Sequence, residues 1–151
     1  MVRVIEKYDI KSLTKDNILT MLQNNEIPPF TQEEKMRSDN LFNSLTEYFD
    51  KCKNGQLDTE DTYVLDIKDF PVNGWGELDI HITKHCFCEV KRKYDPRTRT
   101  STQTKGKRIP RTIYYSADID GDAVDYDHII YKTADEAFHS LMELLSWRYN
   151  N

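Results

Sequence analysis

Apolar positions in the first third of the chain recur at three- and four-residue spacing, the period of a helix with one buried side. Ile18, Leu19 and Leu22 follow Thr14 in this way, and Asn24-Asn25 and Pro28-Pro29 close the segment. Residues 1–13 read as a short strand or an extended lead-in. Thr31 followed by Glu34 has the form of a capping box, the hydroxyl accepting from the third helical amide while the glutamate reaches back. A helix over about 32–53 is predicted from there. It turns Met36, Leu41, Leu45, Tyr48 or Phe49, and Cys52 inward, and Asn54-Gly55 stops it.

Beyond residue 55 the period changes to two. Thr62 to Ile67 is a predicted strand, and Pro71 with Asn73-Gly74 a turn. Leu78, Ile80 and Ile82 alternate with polar neighbours over 77–83, and Cys86 to Tyr94 reads as the antiparallel partner. A polar tip covers 95–110, Arg111 to Ile119 returns as a third strand, and His128 to Tyr131 is a candidate fourth. Thr133 and Glu136 repeat the capping-box spacing, and Ala137, Phe138, Leu141, Leu144 and Leu145 mark the buried side of a helix over 134–148.

This order predicts one α+β domain spanning 1–151. Residues 1–55 are its mainly helical part. Residues 62–131 are an antiparallel β meander of three to four strands with a basic hairpin tip at 95–110. An amphipathic helix over 133–149 closes the chain and packs on one face of the sheet.

Composition sharpens this picture through charge. The net charge of −5 hides a segregation: from Lys91 to Arg111 there are nine basic residues and one acid, Asp95. Of the chain's 21 basic and 26 acidic residues, that leaves 12 and 25 elsewhere. Such blocks bear on partners, not on fold. The chain has no apolar run of the ~20 residues that span a bilayer and no apolar signal-peptide core at its start. Its three cysteines lack the spacing of a disulfide framework. A cytoplasmic location without membrane contact is expected.

Two constellations carry candidate chemistry. If 77–83 and 86–94 pair as a hairpin with matched apolar faces, Asp79 lies across from Glu89 and Glu77 across from Lys91. Opposed carboxylates repel, and a divalent cation would relieve them, with Lys91 placed to orient a water. Gly76-Glu77-Leu78-Asp79 and Glu89-Val90-Lys91 together resemble the PD-(D/E)xK nuclease superfamily over roughly residues 38–93. That resemblance implies magnesium held by Asp79 and Glu89, a water assisted by Lys91, and a further acid from the preceding helix, for which Glu47 is the candidate. The other reading of these charges is a solvated sheet face.

The second constellation is the basic arm, with Arg97, Arg99, Lys105, Lys107, Arg108 and Arg111 interleaved with threonines. Basic and hydroxyl side chains suit phosphates, and a two-stranded ribbon fits a DNA major groove. Tyr94 and Tyr114 are placed to stack a base. A nucleotide or an acidic protein surface would suit the same charges. Asp118, Asp120, Asp122, Asp125 and Asp127 read as an acidic turn. His81, His85, Cys86 and Cys88 are zinc-type ligands close in sequence, but Cys86 and Cys88 face the apolar side and His81 the polar one, so the four do not converge as zinc ligands do. The sequence offers no nucleophile elbow and no convincing triad. The expectation is a small binding or modulator protein, of the inhibitor, immunity or phage-encoded kind, without a cofactor. It would engage an anionic partner through the arm. The alternative is a magnesium-dependent nuclease acting on DNA or RNA.

Overall fold

The computed structural model describes residues 9–125 and 129–150. The lead-in of residues 1–8 lies outside the described residues, as do Asp127 and His128. The elements in order are a 3-10 turn at Ile10–Ser12, helices α1 (Lys15–Gln23) and α2 (Gln32–Lys53), strands β1 (Leu57–Val72), β2 (Gly76–Asp95), β3 (Thr100–Ile119) and β4 (Asp122–Ala123), and helix α3 (Ala134–Asn150). The strands form one antiparallel sheet in the order β1-β2-β3-β4. The fold is α+β, with the C-terminal helix against the sheet.

Each helix begins at a threonine, because a β-region residue with a side-chain oxygen satisfies one of the free first-turn amides. Thr14 and Asn17 form a full reciprocal box at α1. At α2 and α3 the hydroxyl half of the box forms: Glu34 N–H donates to Thr31 Oγ1 at 3.2 Å and Glu136 N–H to Thr133 Oγ1 at 3.1 Å. The glutamates do not reach back to their own N-cap amides. Glu34 meets His139 of α3 at 2.9 Å, and Glu136 meets Arg37 of α2 at 2.7 Å. The two helix starts thus exchange carboxylates and lock to each other. Met36 is exposed, contrary to the inward placement expected from its spacing. The buried stripe of α2 begins at Glu34 and Ser38 and continues through Leu41 and Leu45.

The strands are longer than the sequence pattern suggested, and β2 is continuous. No turn falls at residues 84–85, so 76–94 is one strand and not a hairpin. Instead β2 is the spine between β1 and β3. Likewise β1 starts at Leu57 and runs through Pro71, which an edge strand tolerates because its N–H side needs no partner. The fourth strand is Asp122–Ala123, and among the described residues 129–131 of the expected strand only Tyr131 pairs, in a single bridge to Tyr115.

Extra residues on β1 shift its register at Val64 and again at Lys68-Asp69, where Asp69 takes φ 54°. The second bulge changes which positions face the core: Leu65 and Ile67 are buried before it, Phe70 and Val72 after it. A larger bulge on β3, around Ile109 to Thr112, is closed by the buried Thr112 hydroxyl. That oxygen accepts from Phe87 N–H at 3.2 Å and donates to Ile109 O at 2.8 Å.

The sheet is covered on both faces, at different heights. Ile80, Ile82, Ala117, Ile119, Leu65 and Ile67 join the α1 and α3 residues Ile18, Leu22, Phe138, Leu141 and Met142 in one cluster. Phe87 and Tyr114 join Leu45, Tyr48 and Phe49 of α2 in another. Because β2 pairs residue for residue with β1 between Leu57 and Tyr63, Phe87 and Ile82 point to opposite sides of the pleat. The helix α2 therefore covers the face that α1 and α3 leave open.

Candidate functional site

Above the last β1 pair, Leu57 with Glu89, β2 and β3 continue alone. Val90–Asp95 and Thr100–Lys105 pair in register as a two-stranded ribbon, about 20 Å long at ~3.4 Å per residue. It forms because the segment alternates long polar and β-branched residues, which suit a strand solvated on both faces. One face carries Lys91 and Lys93 beside Thr104, Thr102 and Thr100; the other carries Arg92, Tyr94 and Lys105 beside Gln103 and Ser101. Arg97 and Arg99 occupy the turn, with Arg99 at φ 53°.

Between Val90 and Lys105 there are six basic residues and one acid, Asp95. Asp95 caps the turn, its carboxylate accepting from Arg97 N–H at 2.9 Å. Arg92 braces the foot of the ribbon by donating to Gly55 O at 3.2 Å. Among the described residues, Lys91, Lys93, Arg97, Arg99 and Lys105 form no ion pair, so their charge faces solvent. Tyr94 is also exposed.

The other expected arm cations lie below. Lys107 is at the foot, and Arg108 is ion-paired with Glu60 of β1. Arg111 sits in the β3 bulge at φ 63°. The span 95–110 is thus mostly strand with a short turn, not a long loop. Tyr114 is buried against Phe49 and Phe87 and is not available to stack a base; burial pushes its phenol far up. At the foot, an open groove of about 380 Å³ is lined by Lys11, Lys84, Cys86, Arg108 and Ile113.

The carboxylate and lysine residues do not come together. Asp79 and Glu89 lie on the same strand, about 33 Å apart at ~3.3 Å per residue. Asp79 accepts from Asp69 N–H at 3.2 Å and lies 3.4 Å from Lys68. That amide, followed by the charge of Lys68, holds its carboxyl below the usual range. Glu89 pairs with Leu57, Lys91 belongs to the ribbon, and Glu47 meets Lys51 on the exposed side of α2 at 3.5 Å. Among the described residues no group of three or more His, Cys, Asp or Glu side chains is arranged to hold a metal.

Sequence reasoning missed a polar row on the sheet face beside α2. His81 stacks on Tyr63 with ring centroids 4.6 Å apart, and its Nδ1 lies 3.0 Å from Asp118. Its Nε2 is 3.1 Å from Asp66 but is not aligned for a hydrogen bond. Four residues on, His85 Nδ1 meets Asp61 Oδ1 at 2.6 Å and Nε2 meets Ser116 Oγ at 2.7 Å, with the ring stacked on Tyr114. Asp61, His85 and Ser116 come from three strands and are far apart in sequence. Only the register Asp61 with His85 and His85 with Tyr114 brings them together.

Compared with protein families, with curated proteins and with solved structures, the chain matches none.

Proposed function

We propose that the protein binds a polyanion, with nucleic acid as the best fit, through the ribbon of β2 and β3. The observation that carries this reading is the ribbon itself. It runs on past the last β1 pair, with cations on both faces and at the tip, and its single acid is engaged with its own backbone. Like charges held at about twice the strand rise repel, and a row of phosphates relieves that repulsion while releasing counterions. A major groove of about 12 Å admits a two-stranded ribbon, and the Thr104 hydroxyl beside Lys91 adds a donor for phosphate oxygens. Lys11 and Lys84 extend the basic surface into the groove at the foot.

The test is fluorescence anisotropy with labelled duplex DNA, single-stranded DNA and RNA over a series of salt concentrations. Binding is expected to weaken along a log–log slope of about −0.9 per duplex phosphate neutralised. Replacing Lys91, Lys93, Arg97 and Arg99 together with Ala is expected to remove most of the affinity and flatten the slope, with the thermal melt unchanged. Binding that is indifferent to salt, or equal in the quadruple variant, rules the reading out. Capture of a nuclease-resistant protein partner through the same residues would move the partner to an acidic protein surface.

A further inference from the structure

The Asp61–His85–Ser116 chain has the connectivity of a nucleophilic relay. A carboxylate facing Nδ1 selects the tautomer protonated there, so Nε2 is left as an acceptor. Ser116 Oγ lies 2.7 Å from that acceptor, within the reach required of a base for its nucleophile. The imidazole is held on two sides: the Asp61 contact is 2.6 Å, and the Tyr114 ring lies parallel within 16° at 4.5 Å. Tyr114 is itself fixed by Phe49 and Phe87. The site is reachable, since Asp61 is 49% exposed, His85 16% exposed and Ser116 half-buried. Nucleophile, base and orienting acid thus meet the geometric roles of a Ser-His-Asp triad, which is recognised by geometry and not by chain order.

We infer that Ser116 is an activated nucleophile with esterase-type reactivity, His85 its general base and Asp61 the residue that orients His85. Ser116 Oγ attacks the carbonyl carbon of an ester and passes its proton to His85 Nε2. The carbonyl–oxygen bond to the leaving group breaks, and the departing alcohol takes that proton. Water then attacks the acyl-Ser116 by the same route and restores the free hydroxyl, so the sum is ester plus water to acid plus alcohol. The sheet limits which esters qualify. Next to Ser116, Tyr115 N–H is committed to Tyr131 O at 2.8 Å, and each missing oxyanion donor lowers the rate by about 10²–10³-fold. The substrate class is therefore esters with a good leaving group, such as aryl esters.

The experiment is to incubate the full chain with a fluorophosphonate probe and map the adduct by mass spectrometry, using the exposed Ser101 as internal reference. In parallel, p-nitrophenyl acetate hydrolysis is followed for the parent and for Ser116→Ala, His85→Gln and Asp61→Asn. Labelling at Ser116 should exceed that at Ser101 by about 100-fold, as general-base assistance gives. Hydrolysis should fall by at least ~10-fold in each variant that keeps the parental circular dichroism. Absence of a Ser116 adduct on the folded parent overturns the inference without reference to any variant. So does equal labelling of Ser116 and Ser101, or a folded His85→Gln protein that labels as the parent does.

Discussion

At the scale of single residues, burial decides what each side chain contributes. Leu141 is fully buried against the sheet, so Leu141→Ala removes transfer energy and leaves a cavity. A loss of about 2–5 kcal/mol is expected, read as a lower denaturation midpoint with an unchanged slope. Tyr131, 1% exposed, donates its hydroxyl to Ser140 at 2.8 Å. Burial, partly offset by that bond, pushes its phenol from its ordinary value near 10 up to about 12. Between those values the unfolded chain loses the proton and the folded one keeps it. Stability is therefore full below pH 10 and falls as pH rises towards 12, by about 1.4 kcal/mol per pH unit for this group. Tyr131→Phe should reduce the alkaline loss, measured by chemical denaturation at pH 9, 10 and 11. Cys88 lies wholly buried and burial pushes its thiol up; it behaves as a small apolar residue and not as a ligand.

At the scale of elements, the helices were largely legible because their signals are local. Thr14, Thr31 and Thr133 start the three α-helices, and the buried positions Ala137, Phe138, Leu141 and Leu145 of α3 follow the expected period. The strands were recognisable as strands, but their lengths and register were not. Both sides of β2 are covered in its middle, Ile80, Ile82 and Cys88 on one and Thr83 and Phe87 on the other. The exposed Lys84 interrupts the apolar alternation between Ile82 and Cys86 and imitates a turn. The ribbon beyond has no covered side at all, so nothing in its alternation separates strand from loop. The arm's charge was legible as composition, whereas the Asp61–His85–Ser116 chain depends on register between three strands. Register also makes Thr112 important, because its buried hydroxyl closes the β3 bulge and serves Phe87 N–H. Thr112→Val keeps the shape and strands that amide, at a cost of about 1–3 kcal/mol. An unchanged urea midpoint would show that the bulge holds without it.

At the scale of the whole molecule, charge and cover are arranged along one axis. The acidic face around Asp66, Asp69, Asp79, Asp118 and Asp120 lies towards the start of β2, and the cations lie past its middle. Charge reversal at Lys91 and Lys93 to Glu should therefore abolish polyanion binding and leave the melting temperature within a degree or two, because the ribbon adds little to either core. Anisotropy and scanning calorimetry on the same samples check both halves of that expectation. The unbroken spine has a kinetic corollary. In β2 the amides near Ile80 to Phe87 sit in the middle of the sheet beneath helices, whereas those from Val90 to Asp95 belong to a bare two-stranded ribbon. Isolated ribbons of that kind are marginally stable in water, and local opening follows cover more closely than it follows strand boundaries. Deuterium should enter the distal third of this strand orders of magnitude faster than its centre, and a bound polyanion should erase that gradient.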